Sequence, residues 1–246
     1  MNNQEHKLLI KLCKNGINAI KISETSDKTA DFFVEEEDKN YLIEYKIRQD
    51  NLLFQKELKS NGYADQCTKA AKTDNVYQIL RDAKTQLVSS GKKYDVKFNV
   101  IWVELLTSDN ENSLTQFYST AYGCQDLLTF EKPPRNFVKC FYYNESFFYR
   151  YKGIVAIVIE YNSKFTCLLN EYSPDCNCFC DSKLGLLLMK GITKPIEENN
   201  NERLLIADCD INRKNKRELI NYLNNKYSIR IKSEIDFHHF HGRIGM

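Results

Sequence analysis

Alternation of apolar and polar side chains is sharpest from Thr29 to Arg48, TADFFVEEEDKNYLIEYKIR, where two runs rich in Phe, Val, Ile and Tyr flank Glu36-Glu37-Asp38-Lys39. That pattern predicts a β-hairpin. In its second run Tyr41, Ile43, Tyr45 and Ile47 alternate with Leu42, Glu44, Lys46 and Arg48. One face is therefore apolar, and the other carries acid, base, base. A four-residue loop at 36–39 pairs Phe33 with Leu42 and sets Asp31 opposite Glu44. A two-residue loop at Asp38-Lys39 sets Asp31 opposite Lys46 instead, still on the same face. Only an odd loop turns Asp31 to the other side.

Leu8, Leu9, Leu12 and Cys13 form one stripe of a helix over 4–15, stopped by Gly16, and Ile17 to Ile22 reads as a short strand. From 49 to 74 the pattern is irregular, with Lys56, Lys59, Lys69 and Lys72 among apolar residues. It predicts one or two short helices and a mobile loop, either near nucleic acid or simply a solvated charged face. Val76, Ile79, Leu80, Ala83 and Leu87 mark a helix over 75–90, with Gly91 just past its end. Residues 98–105, FNVIWVEL, are nearly all apolar, as a central strand covered on both faces would be.

Past this strand, 114–122 reads as a helix, Pro133-Pro134 as a break and 137–143 as a strand. A hairpin follows at 153–170 about Asn162-Ser163, then a linker rich in Asn and Glu at 197–202. Strand 204–210, helix 214–226 and strand 229–232 close the chain. The expected fold is α/β, with a central mixed sheet flanked by helices. Residues 1–115 would form the core and 116–246 an extension packed on it, or one continuous domain with it.

Composition narrows the function classes. With 42% hydrophobic and 28% charged residues, the chain has the make-up of an ordinary globular protein. A net charge of +2 gives no broad attraction for polyanions, so any nucleic-acid surface must be local. Met1 to Glu5 show no basic region followed by an apolar run, and no apolar stretch approaches a membrane span. Nine cysteines, an odd number, point to reduced thiols and a cytoplasmic location.

Carboxylates directly opposed on an antiparallel pair sit roughly 5 Å apart at Cβ and repel. That is a poor structural device but a good divalent-cation site, since Mg²⁺ takes one or two carboxylates plus water and phosphate oxygens. Lys46 adds a compact charge able to steady a hydroxide or the phosphate it attacks. The competing reading is a surface hairpin with a charged outer face.

Asp31, twelve residues, then Glu44-Tyr45-Lys46 at the end of an apolar strand resembles the D…(D/E)-x-K signature of the PD-(D/E)xK nuclease superfamily. The likeness covers residues 1–105, where helix, strand, hairpin, helix and strand follow in the family's order. Ala30 stands where the family's proline is expected. The resemblance implies a restriction-endonuclease-like core and Mg²⁺, with Mn²⁺ as substitute, held by Asp31, Glu44 and the Tyr45 carbonyl. Lys46 would orient or deprotonate the attacking water. Glu5 matches a helical glutamate that extends the metal site in many members, although an acid in a helix first turn is favourable without that role. Gln86, in Ala83-Lys84-Thr85-Gln86-Leu87, resembles a glutamine that faces the active site. The implied partner is nucleic acid, DNA in the first place, with no membrane association. A homodimer and a setting in restriction or antiviral defence are further implications. A non-catalytic module binding nucleic acid or protein is the alternative.

Two clusters stand outside this scheme. Cys176-Asn177-Cys178-Phe179-Cys180 offers thiols for zinc, with Cys167 or a tail histidine as fourth ligand. It lacks paired C-x-x-C knuckles, and on a strand it would simply point three thiols to one side. His238-His239-Phe240-His241 is the other.

Overall fold

The computed structural model describes residues 2–23, 29–37, 39–68, 73–197, 201–235 and 240–245. In chain order the elements are α1 (Asn3–Lys14), β1 (Ala19–Lys21), β2 (Phe32–Val34), β3 (Tyr41–Gln49), α2 (Leu52–Asn61), β4 (Tyr63–Thr68), α3 (Asp74–Ser90) and β5 (Phe98–Leu106). Next come α4 (Asn110–Tyr122), β6 (Gln125–Thr129), β7 (Phe137–Phe141), α5 (Phe147–Arg150), β8 (Ala156–Tyr161), β9 (Lys164–Leu169), α6 (Cys176–Cys180) and α7 (Lys183–Leu188). The last are β10 (Ile192–Thr193), β11 (Leu204–Ile206), α8 (Lys216–Tyr227), β12 (Ile231–Ile235) and β13 (Phe240–Gly245). They form two compact units: residues 1–49, 78–107 and 151–193 in the first, and 50–77, 108–150 and 194–246 in the second.

The first unit holds a seven-stranded mixed sheet in the order β1-β2-β3-β5-β8-β9-β10. Strands β1, β2 and β3 run antiparallel in succession, and β5 and β8 then add in parallel. Phe33 pairs with Leu42 and Phe32 with Ile43, so Asp31 falls opposite Glu44. This is the register of the four-residue loop. Tyr41 through Tyr45 are all buried, because β3 is flanked on both edges and covered on both faces. Leu8 and Leu12 of α1 join Tyr41, Ile43, Tyr45 and Trp102 in one cluster. Full burial of such a side chain contributes about 1.5–3 kcal/mol. The other face meets α3, whose Leu80, Ala83 and Leu87 are fully buried and whose Gln86 reaches Lys46. The mixed α/β sheet expected from the sequence is therefore present.

The β8–β9 hairpin turns at Asn162 and Ser163, with φ of 48° and 60°. Two successive positive φ values give the twist that suits a tight hairpin. Both strands belong to the same sheet as the signature hairpin, although they lie beyond residue 115.

The second unit contains a four-stranded sheet, β11-β7-β6-β12, and a two-stranded antiparallel ribbon of β13 and β4. Its α4 ends at Gly123, which has φ of 64°. A Cβ at Gly123 would stand 2.4 Å from the Asn144 carbonyl oxygen, so only glycine allows that close approach.

Several expectations need correction. The stretch at 49–74 contains a strand, β4, which sequence reading did not anticipate, and Lys69 and Lys72 lie outside the described residues. Cys176 to Cys180 form a short helix, not a strand, so Cys178 is exposed while Cys176 is buried. The eight cysteines whose side chains are described are free thiols. Residues 198–200 of the expected linker lie outside the described residues, as do His238 and His239. His241 belongs to β13, in register with Cys67. Among the described residues no helix is long and apolar enough to cross a membrane.

Candidate active site

The loop leading into β2 is gripped by one face of α3. Gln86 and Ser90 are four residues apart and so lie on the same side of the helix. Gln86 Nε2 donates to the Thr29 carbonyl over 3.2 Å, and the Ala30 amide donates to the buried Ser90 hydroxyl over 2.7 Å. The backbone on the N-terminal side of Asp31 is thereby fixed to the helix.

Asp31 itself is aimed from β3. The Tyr45 amide donates to its Oδ2 over 2.9 Å. In an extended strand the N–H and C=O of one residue point to the same side. The Tyr45 carbonyl thus shares the Asp31 side of β3. On its other oxygen, Oδ1, Asp31 accepts from Lys21 Nζ over 2.6 Å.

Glu44, opposite Asp31, has its side chain 1% exposed. Its Oε1 accepts from Lys46 Nζ over 2.5 Å. Its Oε2 is buried and has no hydrogen-bond donor among the described residues. Burial first, and then the Asp31 charge, pushes the Glu44 carboxyl up to about 8, against the opposing pull of Lys46. In its neutral form Glu44 can share its proton with Asp31. Lys46 Nζ also donates to Gln86 Oε1 over 2.7 Å, so α3 positions the lysine as well as the loop.

Glu5 caps α1 in a reciprocal box: its amide donates to Asn2 Oδ1 over 2.8 Å, and its Oε2 accepts from the Asn2 amide over 3.0 Å. The same Oε2 lies 3.2 Å from Lys21 Nζ. The structural role of Glu5 is present, and Lys21 links it to Asp31. Burial alone would lower the Lys21 ammonium, but hydrogen bonds and charge from Asp31 and then Glu5 hold it above its ordinary value.

Asp31, Glu44, Lys46 and Gln86 are thus brought together, with Glu5 attached through Lys21. Sequence reasoning passed over Lys21 and Ser90. Lys21 ends the strand that pairs with the beginning of β2, a neighbour relation that β1–β2 pairing would have exposed. Ser90 had a signal too, since it lies one helical turn beyond Gln86. Among the described residues no group of three or more His, Cys, Asp or Glu side chains could hold a metal ion. The donors gathered here are two carboxylates and a backbone carbonyl, a set that suits a hard cation retaining water.

No protein-family model matches the chain, and no curated protein matches it. Among solved structures, Hjc of Archaeoglobus fulgidus, a Holliday junction resolvase from an archaeal hyperthermophile, aligns at 18% identity. The alignment spans 43% of this chain and 67% of that one, with a TM-score of 0.25. A superposition this loose has no bearing on chemistry.

Proposed function

We propose that the first unit is a divalent-metal-dependent nuclease centre that hydrolyses phosphodiester bonds of nucleic acid, DNA before RNA. The observation that carries this reading is Glu44: a fully buried carboxyl opposite a second one, whose burial and whose neighbour Asp31 both push it up, to about 8. Two carboxyls held face to face repel whenever both are ionised, an arrangement that a purely structural position has no reason to keep. Mg²⁺, or Mn²⁺ in its place, fits Asp31, Glu44 and the Tyr45 carbonyl. Such an ion makes water a usable nucleophile near neutral pH and neutralises charge on the phosphoryl oxygens.

The chain's own groups supply the rest. The Tyr45 amide fixes the Asp31 carboxylate, and Gln86 holds Lys46 Nζ within the site. Lys46 then directs an N–H at the attacking water or at the phosphate, holding the proton that the departing oxygen needs nearby. DNA as substrate, a homodimer and a restriction or antiviral-defence setting extend the family resemblance read from Asp31 and Glu44-Tyr45-Lys46.

A second reading has its own support: Lys21 and Lys46 each occupy one carboxylate oxygen, as ion pairs of a non-catalytic binding module would. The two readings separate in one experiment. Plasmid, linear and single-stranded DNA, and RNA, are incubated with the protein in Mg²⁺ or EDTA. Cleavage in Mg²⁺ alone, lowered at least about a hundredfold in Asp31→Ala, Glu44→Ala and Lys46→Ala with folding intact, supports the nuclease. Full activity in Glu44→Ala refutes it.

A further inference from the structure

The second unit contains a cavity of about 470 Å³, bounded by residues from 142–150, residues 210–213 and Tyr77. Ligand sites commonly span roughly 300–1,000 Å³. One wall is built at the expense of backbone comfort. Tyr142 has φ of 60°, a left-handed conformation that is an outlier for a bulky residue, and it is 1% exposed. Its segment is fastened to the end of α4: the Tyr142 amide donates to the Tyr122 carbonyl over 2.8 Å, and the Asn144 amide to that of Gly123 over 2.9 Å. The Ser146 hydroxyl donates to the Ala121 carbonyl over 2.6 Å. Strain over-determined in this way concentrates at functional sites.

The lining has a definite chemistry. Tyr149 donates its hydroxyl to Asp210 Oδ1 over 2.6 Å, and the Arg213 guanidinium lies 5.8 Å from the Tyr149 ring centre. Arg213 donates to the carbonyls of Ala207, Cys209 and Ile211, so neutral dipoles hold its charge in place. Arg150 donates to the Tyr77 hydroxyl over 3.0 Å from an exposed position. The cavity therefore combines flat aromatic surface, two guanidiniums, and the carboxylate acceptors of Glu145 and Asp210.

We propose that this cavity binds a nucleotide. Its base stacks on the Tyr149 ring with its edge read by Asp210, and its phosphate is held by Arg150, with the Arg213 charge adding attraction. A purely apolar ligand would not match the charged part of the lining, and a bare phosphate would not match the tyrosine surface. A free nucleotide and one nucleotide of a nucleic-acid strand present the same chemistry. The proposal does not depend on hydrolysis at Asp31 and Glu44.

The test is calorimetric titration of the full chain in EDTA, where no metal-dependent cleavage interferes. The titrants are purine and pyrimidine nucleoside 5′-monophosphates, single-stranded oligonucleotides and inorganic phosphate. Binding of a monophosphate or an oligonucleotide, weakened at least about tenfold in both Tyr149→Leu and Arg150→Ala, is the expected result. Tighter binding of the oligonucleotide identifies a strand as the source, and tighter binding of the monophosphate a free ligand. Should Tyr149→Leu fail to fold, Tyr149→Phe keeps the ring and tests the Asp210 side, while Arg150→Ala alters only an exposed side chain. No binding, binding indifferent to Arg150→Ala, or phosphate binding as tightly as the nucleotides would overturn the proposal.

Discussion

The amide of Tyr45 donates to Asp31 Oδ2 over 2.9 Å, so the strand that carries Glu44 and Lys46 also aims the carboxylate facing them. That peptide joins Lys21 and the β2–β3 ladder in fixing Asp31 against β3. Its consequences are measurable in the ionisation of Glu44.

Glu44 titrates at about 8 in the native chain against 4.5 ordinarily. Between those values the native chain keeps a proton that the unfolded chain has released. Stability without metal therefore falls as pH rises from about 4.5 to about 8 and levels off above. Glu44→Gln keeps the shape and removes the titration. Thermal melts in EDTA from about pH 5 to about pH 9 should show the variant gaining on the wild type across that window. Parallel curves would mean that Glu44 ionises normally.

Lys21 acts as an internal counter-cation for Asp31 and Glu5, at 2.6 and 3.2 Å. Lys21→Met should lower metal-free stability by about 1–3 kcal/mol, because two largely buried carboxylates lose their shared donor. It should also let Mg²⁺ bind more tightly, since the ion no longer competes with an ammonium. The rise in melting temperature on adding Mg²⁺ should be larger in the variant. Equal rises would show that Lys21 does not compete.

Gln86 joins Lys46 to the Thr29 carbonyl. In the proposed nuclease centre it would act as a positioning residue for that lysine. Gln86→Ala should reduce kcat about tenfold with KM little changed, a smaller loss than in Lys46→Ala. A change in KM alone would assign Gln86 to substrate binding.

Two glycines with similar backbone angles should differ sharply. Gly16 has φ of 75° with nothing near its would-be Cβ, whereas Gly123 has φ of 64° and the Asn144 oxygen at 2.4 Å. Gly16→Ala should cost about 1 kcal/mol, the left-handed penalty alone. Gly123→Ala should cost more than about 2 kcal/mol, because a backbone segment must also move. Urea denaturation of both variants gives the comparison.

The hairpin was legible because alternation fixes faces, and an even loop kept Asp31 and Glu44 together whichever turn formed. α3 was legible from its helical period, and β5 from an almost unbroken apolar run. What escaped depended on distant partners. β4, with its Tyr-Ala-Asp-Gln-Cys-Thr sequence, is a strand by virtue of pairing with β13 near the other end of the chain. Cys176 to Cys180 carries an alternation that suggests a strand, but the thiols ride on a single helical turn. Lys21 was missed because no spacing rule ties it to Asp31; the tie is made by sheet pairing. No motif marked β8 and β9 as members of the hairpin's own sheet.

That membership governs how the protein can be made or cut. β5 is paired on one side by β3 and on the other by β8, which the ribosome delivers much later. Until then FNVIWVEL would be a bare, apolar sheet edge, the kind of template on which identical chains add to one another. A fragment ended at residue 115 keeps every residue of the D…E-x-K signature and Gln86, yet it should precipitate. The proposed site is written in the first hundred residues, but the partner strand that covers its sheet comes from the hairpin at 156–169.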